Sequence, residues 1–104
     1  MAYKIQIADS AKAELREIVG YIAEMLANPT AAASLLEDFE KQKTFLVENP
    51  RTFPFCPIQS LQKRGYRRFI FKQNYLALYL VDDDEKIVTI MHIFYARRDY
   101  EKLV

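Results

Sequence analysis

Between residues 9 and 48 the sequence carries two apolar stripes at helical spacing, broken only by Asn28-Pro29, and a chain so patterned has to cover a helical hairpin. The first stripe is Ala11, Leu15, Ile18, Val19, Ile22 and Leu26. The second is Ala32, Leu35, Leu36, Phe39 and Leu46, with Glu37, Asp38, Glu40 and Lys41 outside it and Phe45 counted in the core. Asp9-Ser10 offers a capping oxygen to the first helix. Pro29 suits the first turn of the second, and Asn49-Pro50 marks its end. Two amphipathic helices joined by so tight a turn share one apolar side, which a sheet covers.

The alternation Tyr3-Lys4-Ile5-Gln6-Ile7 marks a short opening strand, its apolar members inward. Three more runs, at residues 66–72, 75–81 and 87–95, are separated by Gln73-Asn74 and by the acidic turn 82–86, and read as a meander. Residues 87–95 are apolar on both faces, which marks a central strand. Residues 51–62, with Pro54 and Pro57 among Phe53, Phe55 and Ile58, read as a packed loop. The expected fold is α+β in the order β-α-α-β-β-β, a helical hairpin on one face of a small, mostly antiparallel sheet. Leu76, Leu78 and Leu80 are expected against the helices. That leaves Tyr75, Ala77, Tyr79 and Val81 on an open face, where a single-layer fold presents its function.

With 104 residues the chain makes one domain, 1–104, large enough to hold a core without staples. A lone Cys56 excludes an intrachain disulfide, and no Cys/His cluster has zinc-ligand spacing. The acidic turn lacks the spacing of a calcium loop, and no glycine-rich phosphate loop or Gly-x-Ser-x-Gly is present. Neither metal nor cofactor is expected. No apolar run approaches the ~20 residues of a membrane span, and Lys4, Asp9 and Lys12 interrupt any signal-peptide pattern. A cytoplasmic protein is expected.

The net charge of +1 hides an asymmetry: residues 1–50 hold five bases and eight acids, residues 51–104 ten bases and six acids. The window 51–81 contains Arg51, Lys63, Arg64, Arg67, Arg68 and Lys72 and no acid, which predicts one basic face for a polyanionic partner. Lys63-Arg64-Gly65-Tyr66-Arg67-Arg68 interleaves bases with an aromatic ring, a composition suited to single-stranded nucleic acid. Arg97, Arg98 and Tyr100 follow Tyr95 where the last strand leaves the sheet, so guanidinium donors meet phenol rings there. Structural roles compete: Asp99 can tie down either arginine, and Tyr100 can pack on a helix. His92 is the one imidazole, placed mid-strand, where packing competes with acid–base duty. Without metal, the chemistry such residues suit is RNA cleavage by its own 2′-hydroxyl, which needs a proton acceptor, a proton donor and cations on the phosphorane.

The whole chain resembles the RelE/ParE superfamily of toxins from type II toxin–antitoxin modules. The resemblance lies in the helix start Ser10-Ala11-Lys12-Ala13-Glu14-Leu15, in Asn49-Pro50, in Tyr66-Arg67-Arg68-Phe69, in the run from Asn74 to Val81, and in Ala96-Arg97-Arg98-Asp99-Tyr100. It implies a helical hairpin on a small sheet, a cognate antitoxin that wraps the basic face, and membership of modules known for plasmid stabilization. RelE-like members are ribosome-dependent endoribonucleases, mRNA interferases that inhibit translation; ParE-like members poison DNA gyrase without catalysis. Leu76 stands where ribosome-dependent members often have arginine, and Tyr95-Ala96 stands where others have His-Gly.

Carried over by the resemblance, Arg67, Tyr95, Arg97 and Arg98 are site candidates. The leading expectation is mRNA cleavage on the ribosome, with Arg67 and Arg97 on the developing phosphate charge and Tyr95 as base or stacking platform. Lys63, Arg64, Arg68, Lys72, Arg98 and Tyr100 would bind RNA, and His92 is a possible acid or base. The alternatives are a gyrase inhibitor without catalysis and a degenerate toxin that only binds its antitoxin.

Overall fold

A computed structural model describes residues 3–104. Strand β1 (Lys4–Ile7) leads into helix α1 (Asp9–Gly20), which runs on through a π-helical turn, Tyr21–Met25, before α2 (Pro29–Glu48) returns. A short helix α3 (Gln59–Lys63) precedes β2 (Arg67–Phe71), β3 (Tyr75–Asp82) and β4 (Ile87–Tyr95), and a 3₁₀ turn at Glu101–Leu103 ends the chain. The sheet order is β1-β4-β3-β2, antiparallel except for the parallel pair β1–β4. β4 is therefore central, as its two apolar faces require.

The turn between the helices forms as its residues dictate. The Asn28 side chain accepts the Ala31 N–H at 3.0 Å, with Pro29 in the first turn. At α1 the expected cap fails: Ala8 holds the capping position without a side-chain bond, and Asp9 is already helical. The π turn accommodates one more residue than an α turn, so Leu26 no longer lies beneath Ile22 and is 56 % exposed, beside Met25 at 75 %. Leu36 and Phe45 are also exposed, Phe45 edge-on to Phe53.

Residues 51–62 are not all loop. Helix α3 ends in a left-handed Gly65 (φ 88°), with Gly65 N–H on the Gln62 carbonyl and Tyr66 N–H on the Leu61 carbonyl. This short helix sets Leu61 over the sheet and changes the picture of the second face.

The two faces are occupied in the opposite sense to the expectation. Tyr75, Ala77, Tyr79 and Val81 face the helices, where Ala77 and Tyr79 join Leu35, Phe39, Leu46, Phe69 and Phe71 in the larger core. Leu76, Leu78 and Leu80 point the other way, into a second core with Cys56, Leu61, Tyr66, Phe94 and Tyr100. Neither face is open. Tyr79 is fully buried among rings because its hydroxyl reaches the Pro50 carbonyl at 2.9 Å, so the phenol carries no unpaired donor inside. Burial raises its pKa to about 12, against a smaller opposing pull from the Arg67 charge.

β4 contains a bulge: Leu78 pairs with His92 and Tyr79 with Ile90, which leaves Met91 extra. Before it, Val88 and Ile90 lie in the larger core; after it, Ile93 does, while Phe94 turns to the second. β1 stops at Ile7, opposite Ile90, and the uncovered edge of β4 is taken over by α1. Ser10 Oγ donates to the Met91 carbonyl at 2.6 Å, and the Glu14 carboxylate accepts the Ile93 N–H at 2.9 Å.

Candidate functional site

The bulge sets the geometry of the second face. His92, directly across from Leu78 and hence in line with Arg68, stacks on Phe94 with 5.3 Å between ring centroids and 12° between planes. Phe94 in turn stacks on Tyr100 at 5.5 Å and 16°. The Arg98 guanidinium lies 5.9 Å from the Phe94 centroid, within cation–π range. Burial raises the Tyr100 pKa, helped by the buried Cys56 thiol 3.8 Å from its hydroxyl, while the Arg68 guanidinium acts the other way. His92 Nδ1 meets Glu14 at 3.0 Å, so the imidazole is held from the α1 side. His92, Arg98 and Tyr100 thus converge on the Phe94 ring, with Arg68 beside the Tyr100 hydroxyl and Ile70 in line with Phe94 two strands away.

Of the three residues expected to react, Arg67 lies apart from Tyr95 and Arg97. Arg67 lies opposite Tyr79, on the helix side, where its guanidinium donates to the Phe53 carbonyl at 2.7 Å and to the Arg51 carbonyl at 3.4 Å. It also covers the Phe55 ring at 4.0 Å from the centroid. Tyr95 pairs with Tyr75, four residues from Tyr79 along β3. At about 3.3 Å per residue that is roughly 13 Å along the strand, plus two strand spacings of about 4.8 Å across. Arg97 is exposed in the turn closed by Arg98 N–H on the Tyr95 carbonyl.

Nor do the bases of the acid-free window form one face. Arg51 is paired with Asp83. Lys72 donates its backbone N–H to Asp38 and its ammonium to Ser34, at the far end of β2 from Arg67. Arg64 lies over the Tyr66 ring at 5.2 Å and reaches the Val104 carbonyl, near exposed Lys63 on the last turn of α3. The sequence carries no sign of where each base points, because the loop before β2 folds back and takes up Arg67, while α2 takes up Lys72 and Asp83 takes up Arg51. Asp99 lies by Lys102 rather than either arginine.

A second concave region lies at the other end of the sheet's helix side, about 460 Å³ lined by Glu17, Ile18, Tyr21, Tyr75 and Tyr95. Burial, then the neighbouring Tyr95 and Tyr21 phenols, raise the Tyr75 pKa. Tyr95 thus belongs to an aromatic groove against α1, edge-on to Tyr75 at 5.8 Å, and not to the arginine cluster. Glu14 and Ser10 are absent from the residues to which the sequence assigns a function. Their signal was available, since they are four apart and so share one side of α1 beside the apolar stripe.

Compared with known families, residues 5–100 match the model of the ParE toxin of the type II toxin–antitoxin system parDE. The chain belongs to the ParE toxin family. The toxin also shares its fold with solved structures at low identity. The chromosomal ParDE system of P. aeruginosa gives a TM-score of 0.74 at 18 % identity, covering 92 % of this chain and 98 % of that one. The RelBE2 toxin–antitoxin complex of Mycobacterium tuberculosis gives 0.60 at 18 %, covering 91 % and 99 %. The intact E. coli RelBE complex gives 0.56 at 20 %, covering 93 % and 100 %. No curated protein matches the toxin's sequence at a significant level. The α+β architecture expected from the sequence is therefore that of RelE and ParE toxins, with both sheet faces covered.

Proposed function

We propose that the toxin halts growth by binding DNA gyrase rather than by cutting RNA, and that a cognate antitoxin masks it in the cell. The observation that carries this reading is the separation of Arg67 from Tyr95 and Arg97. General acid–base cleavage needs the proton acceptor and the phosphate cations within hydrogen-bond reach of one reacting centre. Here Arg67 is spent on loop carbonyls and Tyr95 lies across the sheet. Purified toxin added to gyrase is expected to block supercoiling and accumulate DNA breaks, while mRNA on translating ribosomes keeps its ends. Unchanged supercoiling at excess toxin overturns the proposal.

Ribosome-dependent mRNA cleavage is the second reading, and the grouping of Arg68, His92 and Arg98 about the Phe94–Tyr100 stack favours it. It requires new message ends that vanish in Arg68→Ala. A toxin that only binds its antitoxin would leave growth untouched when expressed alone.

A further inference from the structure

Tyr75 and Tyr95 pair across β3 and β4 on the helix side, with ring centroids 5.8 Å apart and planes at 68°, so the two rings form a corner rather than a stack. Tyr21 faces that corner from the π turn. Its N–H bonds to the Glu17 carbonyl, and Glu17, one turn earlier, shares its side of the helix. These four side chains and Ile18 wall the groove of about 460 Å³, and no lysine or arginine is among its walls. Burial, and after it the Tyr95 and Tyr21 phenols, raises the Tyr75 pKa, so the three hydroxyl ends converge. Elsewhere the chain lays its own cations over aromatic rings: Arg67 over Phe55, Arg98 over Phe94 and Lys86 over Tyr3. Among the described residues no cation covers Tyr21, Tyr75 or Tyr95, and Glu17 forms no ion pair. Aromatic faces carry the negative side of the ring quadrupole, so three of them beside a carboxylate make a groove built for positive charge.

We propose that this groove takes an arginine side chain of a partner protein, its guanidinium seated in the Tyr75–Tyr95 corner and paired with Glu17. A guanidinium suits these walls better than an ammonium, because it is planar, is weakly hydrated, and presents an N–H fork that matches a carboxylate. Its methylene stem lies along Ile18 and Tyr21. One turn beyond Tyr21, Met25 and Leu26 are exposed, so apolar residues beside the arginine have surface to cover. Tyr21 and Tyr95 are themselves half exposed. The groove is therefore an open trough for a side chain that arrives on a polypeptide, whereas a free small cation needs a site that encloses most of its surface. The inference is independent of whether gyrase or the ribosome is the target.

The test titrates toxin carrying ¹³C-labelled tyrosine with the capped peptide Ala-Leu-Arg-Leu-Ala. The expected result is a saturable shift of the Tyr21, Tyr75 and Tyr95 ring signals, with those of Tyr3, Tyr66 and Tyr100 unmoved. Citrulline in place of the arginine keeps its shape and removes its charge, and is expected to weaken binding about tenfold; lysine there should weaken it about threefold. Tyr21→Leu and Glu17→Gln, both at exposed positions, should each weaken the arginine peptide about fivefold and the citrulline peptide less than about twofold. Either variant suffices should the other fail to fold. No saturation at millimolar peptide, equal binding of the citrulline or lysine peptide, saturation by spermidine but not by the arginine peptide, or shifts of the same rings when the toxin alone is concentrated overturns the proposal.

Discussion

Glu14 carries more of the site than any charged residue in the basic window. One oxygen takes the Ile93 N–H and the other faces His92 Nδ1, at the point where β1 has ended and β4 would otherwise show an unpaired edge. Glu14→Ala leaves that half-buried N–H without its acceptor and is expected to cost about 2 kcal/mol, while Glu14→Gln, which keeps a carbonyl oxygen, should cost about half as much. Urea unfolding of the three proteins measures the difference. Tyr79 makes a second residue-scale case. Its folded pKa of about 12 exceeds the ordinary 10, so the folded protein holds this proton more tightly than the unfolded chain. The associated stability is fully present below pH 10 and is lost as pH rises toward 12, amounting to roughly 2–3 kcal/mol. Tyr79→Phe is expected to flatten the fall in unfolding free energy across that window. A wild-type slope in the variant would show that Tyr75 and Tyr100, also raised, dominate instead.

Among the elements, the short helix and the tail act as one cover. α3 supplies Leu61 and the tail supplies Tyr100; Ser60 joins Glu101, and Arg64 reaches the Val104 carbonyl, so the two are tied together over Leu76, Leu78 and Phe94. Tyr100→Ala removes a buried ring stacked on Phe94 and is expected to destabilise the toxin by about 3 kcal/mol or more, the scale of an aromatic-to-alanine change in a core. Thermal or urea unfolding would report it, accompanied by dye binding at the uncovered leucine face. A loss below about 0.5 kcal/mol, typical of a surface change, would mean that the cover is not part of the core.

For the molecule as a whole, dispersal of charge sets what it can grip. Six bases on one face would release counterions with a salt slope of roughly −4 on single-stranded RNA, at about −0.7 per phosphate. With Arg51 paired and Arg67 and Lys72 committed to internal oxygens, two or three free bases remain near the Phe94 cluster, and the expected slope is roughly −2 or shallower. Fluorescence anisotropy of a labelled oligonucleotide across a salt series gives the number directly. A steep slope would restore the basic-face reading and with it the case for RNA cleavage.

The sequence by itself determined the four strands, the two long helices and their order, because periodicity and punctuation act locally: Asn28-Pro29 breaks the hairpin whatever surrounds it, and residues 87–95 are too apolar to lie at an edge. It did not determine the faces: a two-residue turn at Gln73-Asn74 would set Phe69 and Phe71 beside Leu78 and Leu76, whereas the three-residue turn 72–74, with Lys72 and Gln73 at positive φ, sets them beside Ala77 and Tyr75. Only the tertiary structure decided which arginines are free and which residues meet. A bulge of one residue at Met91 reverses the facing of everything after it, and carbonyls from the folded-back loop reach Arg67 across a dozen or more positions; both depend on contacts between distant segments, which no local pattern encodes.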